Sequence, residues 1–495
     1  MRKLLLYGGA MLGLAAGLER LLTFLSTMLA ARIGGPQTFG GYSLALTTAG
    51  TVAAYAGAGI GVTAVRFSGD YPQQSPGYAR FVRALTIVSI SSAVLAAAFM
   101  FAGAGPIARG LFHNEALANF LRVAAISSAA FVLLECCRGL LLGQQRFHGL
   151  LVLSLVSGLG LIVALPIAAR VSAGAMIAVQ GLVALTAVMT CVLLAGQLGL
   201  KPRRSKGELA GPGIRPVITF GVVQFSAFAG ISIASWWIAS LVARSDPSLN
   251  QMGFYAIANQ FRGIAALAPG FLAQVVYSSQ TNESGAAYGG AARVLLSSTI
   301  INSLLVMAIA GLAIVVLPWG LVAIYGKSYA SAEVPVLMLL ATAMVHMSGQ
   351  AGAQRLSITR LRTTAIINAL WAVALVGVGL WLIPRWGAAG AATAFLAAHI
   401  FSSLLANVIL YRHERLPVGY LATVILVIIN AVILASLAYA RAVSPGHAFS
   451  LTLWLAAVWI ATSLLIVWLG IRQGSLPRPS LRSNRAQRVP SLSET

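Results

Sequence analysis

Arg32-Ile33-Gly34-Gly35-Pro36-Gln37-Thr38-Phe39-Gly40-Gly41-Tyr42 is a turn between two apolar runs, and the reading of its flanks decides the fold. The upstream run carries Glu19 and Arg20 near its middle, and the downstream run ends at Val65-Arg66-Phe67. Each flank has roughly the 20 residues that a helix needs to cross a hydrocarbon layer about 30 Å thick. The stretch from Leu18 to Arg66 therefore reads as a membrane helical hairpin. A charged side chain at the centre of such a helix costs about 2.5–3.5 kcal/mol on insertion scales, so Glu19 and Arg20 must face a cavity or a partner. The plainer role for the pair is an internal ion pair that fixes helix packing.

Composition extends this reading to the whole chain. Of 495 residues, 59% are hydrophobic and 9% charged, and the mean hydropathy is +0.87. Apolar runs of about 20 residues recur from end to end, without the two-residue alternation of transmembrane strands. The fold class is an all-α polytopic membrane protein with about fourteen transmembrane helices. The expected spans are 10–31, 41–64, 82–104, 117–141, 149–169 and 175–198, then 217–242, 252–277, 294–317, 334–354, 364–383 and 388–410, and finally 418–440 and 449–470. The first span is too long for a signal-peptide core and carries charge, so it reads as a retained helix.

The formal net charge is +23. In a membrane protein such an excess marks the cytoplasmic loops, so nucleic acid is not an expected partner. Assigned alternately to the two sides, 23 Arg and Lys fall on the side of the N-terminus and 8 on the other. Both termini are therefore expected in the cytoplasm, in the cell (inner or plasma) membrane. Cys136, Cys137 and Cys191 all lie in apolar segments, and their odd number and spacing fit neither a disulfide framework nor a metal site. No cofactor is expected.

An internal repeat is visible. Phe39-Gly40-Gly41-Tyr42 resembles Met252-Gly253-Phe254-Tyr255 at an offset of 213, Arg80 falls on Arg293 at the same offset, and Pro106 on Pro318 at 212. An even number of helices per half makes the repeat parallel, with a pseudo-two-fold axis along the membrane normal. The expected organisation is an N-lobe over 1–200, a basic cytoplasmic linker over 201–216, and a C-lobe over 217–412. Two further helices over 413–471 follow, and a basic tail over 472–495 whose Pro, Ser and Arg content predicts disorder.

The Arg32-x-x-Gly-x-x-x-Phe39-Gly-x-Tyr42 turn, the Gly59-x-Gly61…Arg66 and Gly139-x-x-x-Gly143-x-x-Arg146-Phe147 helix ends, and Gly253-x-Tyr255 together resemble the Wzx-type flippases. These belong to the multidrug/oligosaccharidyl-lipid/polysaccharide (MOP) exporter superfamily, and the likeness covers essentially the whole chain. It implies two six-helix lobes around a central cavity, plus two trailing helices. It further implies transfer of an undecaprenyl-diphosphate-linked oligosaccharide from the cytoplasmic to the outer leaflet by alternating access. Cavity arginines of the first and eighth helices fall on Arg20 and Arg262, with Arg66 a further candidate. A polysaccharide polymerase or assembly complex is the expected partner, and a monomer the expected unit.

The residues support that chemistry independently. A diphosphate presents oxygen clusters that suit guanidinium forks. Asn259 and Arg262 share a helix face, with Gln260 beside it, and offer donors to phosphate or sugar hydroxyls; their alternative role is interhelical bonding. Thr23 and Thr27 extend the polar stripe of Arg20. Glu19 is the ion-coupling candidate, since a desolvated carboxylate can take a proton near neutral pH; its alternative is a salt bridge with a cavity arginine. Glu135 is expected to pair with Arg138, one turn on. His346, His399 and the Trp236-Trp237 pair read as packing residues, and Pro269 as a bend beside Arg262.

Two other readings compete. A cation-coupled drug antiporter of the same superfamily would need acidic cavity residues, and the chain has only 10 Asp and Glu in all. A membrane polymerase or ligase would need catalytic groups in large outer loops; the loops here are short and show no nucleophile triad, paired carboxylates or metal spacing. The chain is not expected to be an enzyme. A scaffold within an assembly complex is a third reading.

Overall fold

A computed structural model describes residues 2–71, 75–194, 211–270, 272, 288–414, 416–443 and 448–472. Among the described residues there are helices and connecting turns and no strand. The helices are α1 (Arg2–Gly57), α2 (Ile60–Asp70), α3 (Pro76–Gly110), α4 (Leu117–Gly143), α5 (Phe147–Ala169), α6 (Ala173–Leu193), α7 (Ile214–Ser245) and α8 (Asn250–Ala265). They continue as α9 (Tyr288–Tyr325), α10 (Glu333–Thr359), α11 (Leu361–Glu414), α12 (Val418–Val443) and α13 (Ala448–Arg472), with a 3₁₀ turn at Lys327–Ala332. Nine of the described helices are long and apolar enough to span a membrane, or ten if the two halves of α7, bent by 59°, form one span. Two of these are of double length: α1 breaks at Gly35 (φ 74°), followed by Pro36, and α11 at Gly387 (φ 51°). Folding at a glycine with positive φ lets one continuous helix become a hairpin, since glycine alone enters that region without a Cβ penalty. The expected fourteen spans are consistent with this set. Residues 201–210 of the basic linker, the end of span 252–277 and residues 473–495 of the tail lie outside the described residues.

Helix association in lipid depends on close packing, since lipid tails are as apolar as leucine. Small residues supply it here. Gly139 of α4 lies against Gly61 and Ala64, and Gly143 against Val65 and Ser68, so α2 and α4 meet nearly backbone to backbone. Within the second half, ion pairs Arg355–Glu414 (2.9 Å) and Arg441–Glu333 (3.2 Å) tie α10 to α11 and to α12.

The sequence repeat has a direct structural counterpart. A Cβ built on Gly40 would strike Leu249 and come within 2.9 Å of the Gly253 nitrogen; one built on Gly253 would come within 2.9 Å of the Pro36 Cα. Gly40 and Gly253 are 213 residues apart, and so are Pro36 and Leu249. Two halves meeting through the same patch in reciprocal fashion is the mark of a two-fold relation. Around this seam Arg32 donates to the Ala323 carbonyl at 2.9 Å, the Tyr329 hydroxyl to the Ala31 carbonyl at 3.1 Å, and Asn114 to the Pro247 carbonyl at 3.3 Å. These contacts seal the two halves together at the end of the bundle away from the N-terminus.

Two departures from the expected spans lie near each other. The helix expected over 41–64 is interrupted at Ala58 and Gly59 (φ 36° and 78°), and α7 is bent. Gly59 sits so close to the Gly221 carbonyl that no Cβ would fit, and Gly221 is equally close to Ala58. The Tyr55 hydroxyl donates to the Ala229 carbonyl at 2.6 Å just beside this crossing. The break allows two backbones to cross in contact, which no local sequence rule signals.

Candidate functional site

The first half of α1 carries Glu19, Arg20, Thr23 and Thr27, and together with α2, α4, α5 and α8 it encloses a cavity of about 900 Å³. Ala15 to Thr27 of α1, Gly61 to Val65 of α2, Glu135 to Leu142 of α4 and Leu150 to Ser154 of α5 all belong to the parts of their helices on the N-terminal side of the membrane. The cavity therefore lies on that side, opposite the sealed seam. A second cavity of about 540 Å³ lies among α7, α8, α10 and α11, with Arg20 in its wall as well. A third, about 400 Å³, is lined by Thr23, Thr27, Asn259, Gln260 and Arg262. Arg20 is thus common to the first two cavities and Arg262 to the last two.

The predicted residues divide clearly. Arg20 is exposed to cavity space, and among the described residues it has no ion-pair partner. Arg262 is half-buried, with its guanidinium 5.0 Å from the centre of the Phe395 ring; among the described residues it too has no carboxylate partner. A guanidinium stacked on an aromatic face keeps its charge and directs its edge elsewhere. Asn259 donates to the Tyr255 carbonyl at 3.0 Å and lines the second and third cavities, and Gln260 accepts from the Tyr325 hydroxyl at 3.3 Å. The structure brings Arg20, Asn259, Gln260 and Arg262 together. Arg66 stands apart: it lies over the Phe220 ring at 5.2 Å, 4.0 Å from Asp70, and lines none of these three cavities.

Glu19 is held by two groups. One carboxylate oxygen is ion-paired to Arg138 and the other accepts from the Ser154 hydroxyl at 3.0 Å. Arg138 also pairs with Glu135 at 3.4 Å, so two carboxylates share one guanidinium on the wall of the larger cavity. The Glu135–Arg138 pair follows from their three-residue spacing. The Glu19–Arg138 pair joins residues 119 positions apart and carries no sequence signal. Trp236 packs as expected, donating its indole N–H to the Thr48 hydroxyl at 3.1 Å. The α8 helix ends at Ala265 with a turn at Ala266, three residues before Pro269, whose ring and missing N–H disturb the preceding turn. Arg262 therefore sits in the last turn before a break.

His346 and His399, which read from the sequence as packing residues, both line the 540 Å³ cavity, with ring centres 5.2 Å apart. Arg138, expected beside Glu135 alone, also lines the larger cavity and pairs with Glu19. Among the described residues no group of three or more His, Cys, Asp or Glu could hold a metal ion.

The architecture is a multi-pass helical bundle, sealed at one end and enclosing an arginine-bearing cavity. The Polysaccharide biosynthesis protein family model matches residues 5–277, more than half of the chain, and the chain belongs to that family. The lipid II flippase MurJ in an inward closed conformation superimposes with a TM-score of 0.67 at 12% identity, over 93% of this chain and 99% of that one. An inward-facing MATE-family multidrug resistance transporter of the MOP superfamily gives 0.61 at 14% identity, covering 80% and 94%. A MOP superfamily transporter from Pyrococcus furiosus Vc1, described as having a binding pocket of reverse polarity, gives 0.57 at 14%, covering 83% and 95%. No curated protein sequence matches the chain. The fold and family agree with the resemblance drawn from the sequence motifs.

Proposed function

We propose that this transporter carries an undecaprenyl-diphosphate-linked oligosaccharide from the cytoplasmic to the outer leaflet by alternating access. The observation that carries the reading is the pair Arg20 and Arg262, two guanidinium groups that line adjoining cavities with no carboxylate partner among the described residues. Fixed positive charge in a low-dielectric setting is costly unless an anion visits it. A diphosphate is an anion whose oxygens match the guanidinium fork. Asn259 and Gln260 supply further donors to the diphosphate or to sugar hydroxyls. Arg66 belongs on the entry side of α2, where its charge would draw an anionic headgroup inward. Glu19 is the coupling group: its carboxylate is already shared out between Arg138 and Ser154, and neutralising it by a proton or cation would free Arg138.

In this reading both termini lie in the cytoplasm of a cell whose inner or plasma membrane holds the protein as a monomer. The lobes span 1–200 and 217–412, joined by the 201–216 linker, with 413–471 and the 472–495 tail appended. A polymerase or assembly complex receives the product. In the same reading the sealed seam beside Gly35 faces the outer side and the large cavity the cytoplasmic side.

Purified protein in liposomes, given a fluorescent prenyl-diphosphate-linked sugar, is expected to move it between leaflets, and Arg20→Ala and Arg262→Ala to abolish the transfer. The drug-antiporter reading predicts the opposite pattern: transport of cationic dyes, insensitive to either arginine change. Dye transport without prenyl-diphosphate transfer would overturn the proposal.

A further inference from the structure

Along α10, every residue from Pro335 to Val345 is buried, and so are Met347, Ser348 and Gly349. His346 alone interrupts this run as an exposed residue, and the opening it faces is the 540 Å³ cavity that Arg262 and Arg20 also line. A helix packed on every other face has no reason of stability to present a histidine to a cavity at mid-membrane. The neighbouring ring is already engaged: His399 Nδ1 lies 2.8 Å from the Phe395 carbonyl and 3.3 Å from the Trp371 indole nitrogen. Its Nδ1 is thus shared between a carbonyl acceptor and an indole N–H donor, whichever tautomer the ring takes. His346, by contrast, makes no hydrogen bond among the described residues. The groups facing it are His399 from α11, Arg262 from α8 and Arg20 from α1. Neither α9 nor α12 contributes to the described wall, and no Asp or Glu is found in it. The two ion pairs on α10, Glu333–Arg441 and Arg355–Glu414, are near its ends and already neutralised.

A wall that offers guanidinium, imidazole, amide and hydroxyl groups, with no carboxylate, is chemistry for an oxyanion. We propose that His346 is a phosphate-binding residue of the transport cavity, holding one phosphate of the lipid-linked diphosphate with Arg262 and taking up a proton from solvent as it binds. The inference rests on the function proposed above and adds a residue and a proton to it. A neutral imidazole donates one N–H; an imidazolium donates two and adds a charge beside Arg262. That extra charge is disfavoured in the empty cavity and favoured when an anionic phosphate fills it. Binding and protonation are therefore linked, each promoting the other.

The test uses the full-length protein in nanodiscs and farnesyl diphosphate as probe, with binding measured calorimetrically at about pH 5.5 and about pH 8 in buffers of different ionisation enthalpy. The probe's own titration is common to all variants, so the comparison isolates the protein's share. Wild type is expected to gain about tenfold in affinity over His346→Gln on going to the lower pH, with a net proton taken up that the variant lacks. His346→Asn serves if His346→Gln does not fold. Arg262→Lys should bind more weakly but keep the proton uptake. Equal proton uptake by wild type and both His346 variants would overturn the inference while leaving the proposed function standing. No binding by wild type at either pH would overturn the proposed function itself.

Discussion

Gly40→Ala tests the seam most directly. The added methyl would strike Leu249 and lie within 2.9 Å of the Gly253 nitrogen, where ordinary contact needs well over 3 Å. Both obstacles are backbone, so the two halves must separate locally. Overpacking of this kind costs about 1–3 kcal/mol. The contact exists only while the seam is shut, so the whole cost falls on the sealed state. It should raise the population open at that end about 5- to 150-fold. Thr27, buried and lining two of the cavities, reports this when replaced by Cys in a protein whose three native cysteines are changed to Ser. A membrane-impermeant thiol reagent applied from the Gly35 side should modify it faster by that factor. Gly253→Ala should act alike, and the double variant should fall short of the sum, because both methyls press on one interface. Gly50→Ala, where a Cβ meets nothing within 4 Å, is the matched control and should leave the rate unchanged. Unaltered modification in both Gly40→Ala and Gly253→Ala, in well-folded protein, would refute the reciprocal seam.

Three other outcomes are expected. Arg262→Ala should abolish polysaccharide export with the protein still folded and in the membrane, whereas Arg262→Lys, which keeps the charge but loses the fork, should retain part of it; complementation of a strain lacking the gene reads both. Glu19→Gln should lower the melting temperature by removing the Arg138 partner, with little further effect of Arg138→Gln in that background, and a gradient-driven flux that survives the change would remove Glu19 from ion coupling. Asp246, between α7 and α8, is a pH-sensitive cap. Burial works to raise its pKa, but hydrogen bonds from Ser248 and from the backbone N–H groups of Gln251, Ser248 and Asn250 hold it below the usual carboxylate value. A depressed folded-state pKa gives stability that is present above about pH 4 and lost as pH falls through the folded value. Thermal melts of Asp246→Asn should accordingly converge with wild type in acid and fall below it at neutral pH.

Much of this was legible in the chain. Apolar runs of membrane length, and the Gly-Gly-Pro turn at 34–36, carried the spans because lipid leaves the backbone no alternative to helix. The offset of 213 places Gly40 on Gly253, and the two touch in the structure. Arg20, Asn259, Gln260 and Arg262 stood out because charge and amide are costly among leucines. Other features had no local trace. The break at Ala58–Gly59 is set by the approach of Gly221, some 160 residues away along the chain, and the Glu19–Arg138 pair by packing of α1 on α4. His346 looked like any polar residue in an apolar helix, because its exposure depends on what the neighbouring helices leave uncovered. The motif alone cannot show where the Arg66 side chain goes, and in the structure it lies toward Phe220 and Asp70.

The interruption at Ala58–Gly59 has a mechanical consequence. Above it, the chain runs up to the Gly40 contact; below it, α2 is pressed flat on α4 through Gly139 and Gly143. An unbroken rod would carry torque from one to the other. This one is jointed there, so a twist applied at the Gly40 end reaches the α2–α4 contact only through the packing around the joint.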